Sequence, residues 1–467
     1  MTPAGRRSLS TPLDRRFAPY ALSWRRHQAE ISGRGETGVL AVALERERGL
    51  VSRYEFALLP EDHPDLEDSL ALVERAVKFL LWSRGAGTLH VVAVGPAARR
   101  LAERIRVAYA PGGARDFDRE LLGRVYGRDF RVQLVEPDAL PAEHEETAAI
   151  GGHVDGCRIG FDLGASDYKV AAVIDGEVVF HEETPWDPKV EADPAYHLGH
   201  IRAALERAAA HLPRVDAIGG SAAGIYIDDR VRVASLFRSV PESRFVAEVE
   251  PMFARLGEEW GVPIRVINDG DVTALAGAMA SGCGGILGIA MGSSEAAGYL
   301  GHDRRIKGWL NELGFAPVDG GAEAPVEEWS GDRGVGTSYF SQQAIERLAH
   351  VAGMELDPAL GQAEKLVVVQ ELAENGDQRA GLLFATIGAY LGHTVPWYRV
   401  FYGFDTVLVL GRVTSGAGGD LLVREARRVL EQDYPELADR VALQLPDETT
   451  RRVGQAVAAA SLPMLAS

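Results

Sequence analysis

The sequence predicts an α/β protein whose mostly parallel sheets carry connections on both faces, and three observations support that class. Short apolar runs such as LHVVAVGP (89–96), VPIRVIN (262–268) and DTVLVLG (405–411) read as buried strands. Segments of helical period separate them, with DSLALVERAVKFLLWSR (68–84) the clearest. Strands and helices then alternate along nearly the whole length. At 467 residues the chain is long enough for about three domains.

Residues 1–36 form a basic arm in which Arg6, Arg7, Arg15, Arg16, Arg25 and Arg26 come in pairs. Such an arm can touch an acidic partner, but a frayed or surface-wrapping terminus is the commoner outcome. GVLAVALERERGLVSRYEFALLP (38–60) reads as a β-hairpin, 68–84 as a helix, 89–96 as a strand, the region near 117–126 as a helix and FRVQLVEP (130–137) as a strand. DALPAEHEETAAIGGHVDG follows with Pro, Gly and acidic residues but no periodicity, as a linker does.

From 158 the order begins again, with strands at 158–163, 169–174 and 177–181, a helix at 195–211, a strand at 215–221, a helix at 244–260 and a strand at 262–268. The repetition reads as a degenerate internal duplication or as two unrelated α/β units sharing a pattern. The first unit has no counterpart of Asp162 or Gly164, so as a copy it is inert. A helix (271–281), strands at 285–291 and 296–301 and a loop-rich stretch (303–337) come next. Helices near 338–353, 361–375 and 377–397, a strand at 405–411 and helices at 419–432 and 448–461 complete the chain.

Composition excludes several classes. Apolar residues are 46% and charged residues 25%, the profile of a globular chain rather than a disordered one. No run reaches the roughly 18 apolar residues of a membrane span, and the start has no apolar signal-peptide core, so the expectation is a cytoplasmic protein with no membrane partner. Cys157 and Cys283 are too few for a disulfide framework or a cysteine-rich zinc site. A net charge of −18 argues against wrapping nucleic acid. GRGETG (33–38) precedes a strand instead of following one, which rules out a Rossmann site. There is no P-loop and no G-x-S-x-G elbow, and neither HEET (144–147, 181–184) has a histidine four residues on.

Four glycine-containing turns remain. In DLGASD (162–167), Gly164 and Ala165 let backbone approach an anion, Ser166 can donate to it, and Asp162 at a strand end can hold Mg²⁺ through water; a tight hairpin explains the residues equally well. In INDGD (267–271), Asp269 stands where α/β sheets usually bind ligands and can take a proton from a hydroxyl that Asn268 orients, unless Asn268 or Asp269 only caps the next helix. AMGSSEAAG (290–298) can cradle phosphates from the other side, and VLVLGRVTSGAGGD (407–420) suits an adenine or ribose lying on backbone.

In this order the turns resemble the actin, hexokinase and Hsp70 superfamily of two-lobed ATP-binding proteins and, within it, the ROK family of sugar kinases and related regulators. DLGASDYKVAAV resembles the first phosphate hairpin, GGSAAGIYIDD (219–229) the glycine-containing segment after the next strand, and VINDGDVTALAGA the segment bearing the catalytic base. GIAMGSSEAAGYL is similar to the second phosphate hairpin, NELGF (311–315) to the acidic sugar-binding turn, WSGDRGVGTSYFSQQAI (329–345) to the region that is normally zinc-binding, and VLVLGRVTSGAGGDLL to the adenosine segment. There are departures too. Ser294, Ala296 and Ala297 stand where glycines are common, Phe315 where a His is, Glu328, Ser330 and Val335 where cysteines are, Thr337 near a sugar-binding Glu, and Arg412 where a second Gly follows Gly411.

The resemblance implies a two-lobed actin-like (ribonuclease H-like) fold, with lobes at 156–283 and 284–447, a C-terminal helix (448–467) returning to the first lobe, and an additional α/β unit at 37–155. It further implies a glucokinase-like carbohydrate kinase that uses ATP and Mg²⁺ on a sugar or polyol, while the departures at Glu328, Ser330 and Val335 leave zinc unexpected. Asp269 would be the general base, and Asn268, Glu312 and Ser221 would bind substrate. Asp162 would organise Mg²⁺. Gly164, Ala165, Ser166, Gly292, Ser293 and Ser294 would hold phosphates, and Gly411, Arg412 and Gly416 would face adenosine. The alternative is a catalytically degenerate sensor of a sugar or nucleotide on the same fold. A DNA-binding repressor is disfavoured because no basic helix-turn-helix is read in the first 60 residues, and pairing into a homodimer stays open.

Overall fold

The computed structural model describes residues 11–33, 38–146, 150–446 and 454–465. Arg6 and Arg7 of the arm, 34–37 of GRGETG and 448–453 of the expected terminal helix lie outside the described residues. Among the described residues no helix is long and apolar enough to cross a membrane.

The N-terminal unit holds β1 (Gly38–Glu45), β2 (Val51–Leu58), β3 (Thr88–Val94) and β4 (Arg131–Leu134) in the order β2-β1-β3-β4. The first lobe is built on β5 (Cys157–Leu163), β6 (Asp167–Ile174), β7 (Glu177–Pro185), β8 (Ala217–Ala222) and, beyond a small hairpin of β9 (Ile225–Ile227) and β10 (Arg230–Val233), β11 (Ile264–Asn268). Its sheet order is β11-β8-β5-β6-β7. The second lobe pairs β12 (Ile286–Met291), β13 (Glu295–Leu300), β14 (Thr406–Leu410) and β15 (Ala442–Gln444) as β13-β12-β14-β15. The result is an α/β fold of two lobes with an extra α/β unit in front.

Two sequence expectations need correction here. The sheets are mixed rather than mostly parallel, because β1–β2, β5–β6, β6–β7 and β12–β13 are joined by turns too short for a crossover. The half-repeat also fails on strand direction: β1 runs antiparallel to β3, whereas β5 runs parallel to β8. The shared hairpin, helix, strand pattern is therefore built with opposite connection geometry.

The arm does not fray over 11–33. Helix Tyr20–Ser32 places Tyr20, Trp24 and His27 on one face, and Trp24 packs edge-on against Trp397 with ring centroids 5.7 Å apart. A second helix absent from the sequence reading, Pro96–Ala108, covers β1 and β3. The N-terminal unit and the second lobe share one apolar core, in which Phe79 stacks on Phe401 at 4.6 Å and Phe17 meets Tyr390 at 4.7 Å. Most of the first lobe keeps its own core around Phe161, Leu205 and Phe253.

Polar contacts reinforce that union. Arg75, Lys78 and Arg115 of the N-terminal unit converge on Asp332 at 2.6, 2.7 and 2.8 Å. Burial alone would raise this carboxyl's pKa, but the charges of Lys78, Arg75 and Arg115 hold it far below the usual range. The C-terminal helix Gln455–Ala460 lies on β5 and β8 so closely that a Cβ at Gly160 or Gly219 would collide with the carbonyls of Ala456 and Ala459.

Candidate active site

Three parallel strands, β5, β8 and β11, end on one edge, and their carboxyl ends carry the candidate residues. Register pairs Asp162 with Ser221 on β8 and with Lys169 on β6, and pairs Asn268 with Ala222. Asp162 and Asp269 are thus separated by one intervening strand, roughly 10 Å from strand spacing alone. Asp162 is buried; its Oδ1 accepts from Ser221 Oγ at 2.6 Å and its Oδ2 lies 4.0 Å from Lys169 Nζ. Burial raises its pKa, while the Lys169 charge and the Ser221 bond partly counter that rise.

Asp269 opens helix Asp269–Ser281, and its Oδ1 is buried with no hydrogen-bond partner among the described residues. Burial, and then the charge of Asp162, push it up to about 6. The sheet order puts the two carboxylates at the same end of one sheet, with β8 between their strands. Asn268 is the helix cap: its Oδ1 accepts from Gly270 N at 2.7 Å and its Nδ2 donates to the carbonyl of Gly224 at 2.7 Å. Its side chain is largely committed to holding the loop, which leaves one amide hydrogen and one lone pair for a ligand. Ser221, expected to bind substrate, is fully buried, and the β5–β8 register sets its Oγ to donate to Asp162.

On the second lobe the backbone N–H of Glu312 donates to the carbonyl of Trp82 at 2.9 Å, so the N-terminal unit holds the 311–315 turn from behind. No hydrogen bond or ion pair reaches the Glu312 carboxylate among the described residues, and burial together with the charges of Asp269 and Asp271 pushes it up to about 8. Phe315, three residues on, lies 4.6 Å from Trp82.

The two anion turns are open and meet through residues 411–412. Gly164 N closes the first turn on the carbonyl of Asp167 at 3.0 Å, leaving Ala165 and Ser166 exposed. Gly292 N closes the second on the carbonyl of Ser294 at 3.0 Å, leaving Ser293 and Ser294 exposed. Gly411 has φ 97° and lies so near Met291 that a Cβ would collide with that backbone, so only glycine fits. Arg412 then reaches across the cleft: its Nη2 donates to Ser166 Oγ at 2.7 Å and lies 3.7 Å from Asp167 Oδ2. Gly416 starts helix Gly416–Asp433 on the exposed side of the same segment.

The sequence reading missed four contributors. Lys169 could have been found by counting across the 164–166 turn to the residue opposite Asp162. Asp271 accepts from Tyr299 N at 3.1 Å and Asn311 Nδ2 at 2.9 Å, and burial pushes it up to about 7. Glu295 is buried with an unpartnered Oε2 beside Gly336, and burial raises it to about 8. Trp82, from the N-terminal unit, gave no local signal at all.

Among the described residues no group of three or more His, Cys, Asp or Glu is placed to hold a metal ion. Mg²⁺ does not need one, since it usually keeps several waters and takes one or two carboxylates beside a ligand's phosphates. Asp162, at the foot of the open 164–166 turn, is a donor of that kind.

No family model matches this chain, and no curated protein matches it by sequence. Solved structures do. A ROK family glucokinase from Streptomyces griseus, determined with glucose and AMPPNP, superposes with a TM-score of 0.51 at 19% identity, covering 66% of this chain and 99% of that one. A ROK hexokinase from Thermus thermophilus gives 0.50 at 20% identity over 66% and 97%. A ROK family transcriptional regulator, a homologue of the E. coli MLC protein, gives 0.51 at 18% identity over 66% and 78%. These likenesses show the fold to be that of ROK sugar kinases and regulators, the fold the sequence motifs implied.

Proposed function

We propose that this chain is a cytoplasmic, ATP-dependent phosphotransferase that acts on a hydroxyl of a sugar or sugar-like small molecule. The observation that carries this reading is the position of Asp162 and Asp269 at the same end of one sheet with a single strand between them, where burial and then the Asp162 charge raise Asp269. ATP with Mg²⁺ would supply the transferable phosphoryl group and the positive charge that offsets its oxygens.

The chain's own residues perform the rest. Asp269 Oδ1 takes the proton of the acceptor hydroxyl; a pKa near 6 leaves it ionised at neutral pH yet more basic than an ordinary aspartate. Asn268 fixes the loop that aims it. Glu312 binds acceptor hydroxyls, donating while protonated and accepting once ionised. Ser221 and Lys169 hold Asp162 in place for the metal. Backbone N–H groups of 165–166 and 293–294, in turns closed by Gly164 and Gly292, orient phosphates from opposite lobes, and 411–416 borders the nucleoside.

One observation favours a second reading, a non-catalytic sensor: Arg412 already sits on the first phosphate turn. The test is incubation with Mg·ATP and a panel of hexoses, amino sugars and polyols, with ADP as the readout. Turnover with one member, lost in Asp269→Asn while calorimetric binding persists, supports the kinase. Absence of ADP with every member, together with no nucleotide binding by calorimetry, gives the sensor the stronger case.

A further inference from the structure

Helix Asp116–Tyr126 belongs to the N-terminal unit, yet it touches both lobes at the acceptor end of the cleft. On one side it packs against β10, and Arg124 pairs with Glu242 of the first lobe at 2.8 Å. On the other side the ring of Phe117 lies 5.5 Å from Phe315, which has Trp82 against it at 4.6 Å. Two further ion pairs tie the same unit to the β9–β10 hairpin, Glu47 to Arg232 at 3.6 Å and Arg48 to Asp228 at 3.8 Å.

Both surfaces that the helix bridges border the candidate acceptor position. The hairpin begins one residue after Gly224, whose carbonyl holds Asn268. β9, which carries Tyr226, packs against β11, the strand that ends at Asn268 and leads into Asp269. Phe315 closes the turn that Glu312 opens. Trp82 is fully buried, but Phe117 and Phe315 each keep part of a ring uncovered. Partly uncovered aromatic carbon from two parts of the chain thus stands beside the turn that carries Glu312.

We propose that helix Asp116–Tyr126 is the specificity-determining wall of the acceptor site, and that Phe117 and Phe315 select a sugar ring carrying an apolar group, a deoxy position or a methyl or acyl substituent, on the side that meets them. The inference rests on the acceptor-binding reading of the cleft given above. A hydroxyl pressed against two phenyl rings loses its water and finds no partner, whereas carbon gains from the same contact. Glu312, Asn268 and Asp269 remain to hold hydroxyls on the rest of the ring.

The experiment measures calorimetric Kd and kcat/KM for glucose, mannose and their single-position deoxy, O-methyl and N-acetylamino derivatives. It uses the full chain as wild type, Phe117→Ala and Phe117→Leu, with KM for ATP as the control for an intact nucleotide side. At one ring position the apolar derivative is expected to be favoured over its parent by about tenfold or more, the low end of what one hydrophobic group contributes to selectivity. That preference shrinks toward unity in Phe117→Ala and survives in Phe117→Leu. A wild type that favours no apolar derivative, or a Phe117→Ala that weakens all acceptors alike, overturns the wall. Selective binding without ADP formation keeps the wall and overturns the kinase; ADP formation without selectivity does the reverse; binding of none of the probes overturns both.

Discussion

Replacing Asp162 by Asn should lower the pKa of Asp269 by about one unit. Asp269 is held near 6 by burial first and by the Asp162 charge second. One intervening strand puts the carboxylates roughly 10 Å apart. At an effective dielectric constant of about 20, two charges at that separation repel by about 1.7 kcal/mol, or about 1.2 pK units. Removal of one charge should thus carry Asp269 to about 5, with burial keeping it above an ordinary aspartate. Aspartate labelled with ¹³C at the carboxyl carbon reports this directly by NMR between pH 4 and 8. The Asp269 signal is assigned by its loss in Asp269→Asn, so the measurement does not depend on turnover. An unchanged midpoint in Asp162→Asn would refute the shared cleft, and a wild-type midpoint at an ordinary aspartate value would refute the burial argument.

Three other outcomes are expected. Asp269→Asn should reduce kcat by about 10²–10⁴, the usual contribution of a positioned general base, with acceptor Kd nearly unchanged by calorimetry; near-normal turnover would exclude it as the base. Asp332→Ala removes the carboxylate shared by Arg75, Lys78 and Arg115, leaving Lys78 with Asp118 and Arg115 with Glu74 but Arg75 with no other ion pair among the described residues, and should destabilise the protein by about 3 kcal/mol in denaturant titration; a loss under about 1 kcal/mol would show the cluster to be solvated instead. Glu295, Glu312, Asp271 and Asp269 all have native pKa values above their unfolded ones, so between about pH 4 and pH 8 these groups hold more protons in the native state and the stability they contribute falls as pH rises. Accordingly Glu295→Gln should raise Tm at pH 8.5 and change it little at pH 5; an equal drop at both would mean that the carboxylate form is needed for packing.

What could be read from the sequence was local. Asp162, Gly164 and Asp269 each sit where a strand ends in a small-residue turn, and the chemistry of such turns needs only a few neighbours. Asn268 as a helix cap was equally local and is what the structure contains. The bond from Ser221 to Asp162 was not legible because it is set by parallel register with a strand 59 residues earlier, which no window of sequence encodes. The repeat was suggested by element order, but order does not specify strand direction. Arg412 gave no hint of its direction, since its reach to Ser166 depends on how two lobes face each other. The role of the N-terminal unit was the least legible, because the carbonyls of 82–84 find their donors at 310–312 only in three dimensions. One missed signal was available: Tyr20, Trp24 and His27 recur at helical spacing in the arm, hidden among paired arginines.

The core common to the N-terminal unit and the second lobe also sets a timetable for synthesis. Arg84 donates to the carbonyl of Phe401, 317 residues downstream. At roughly 5–20 residues per second, a ribosome needs roughly 15–60 s to make the stretch between them. Throughout that interval Phe17, Trp24 and Phe79 of the leading segment lack the rings of Tyr390, Trp397 and Phe401 that they pack against in the finished fold. For the same reason, trimming the gene to begin near residue 150 would strip Tyr390, Trp397 and Phe401 of their cover and yield an aggregating product rather than a smaller enzyme.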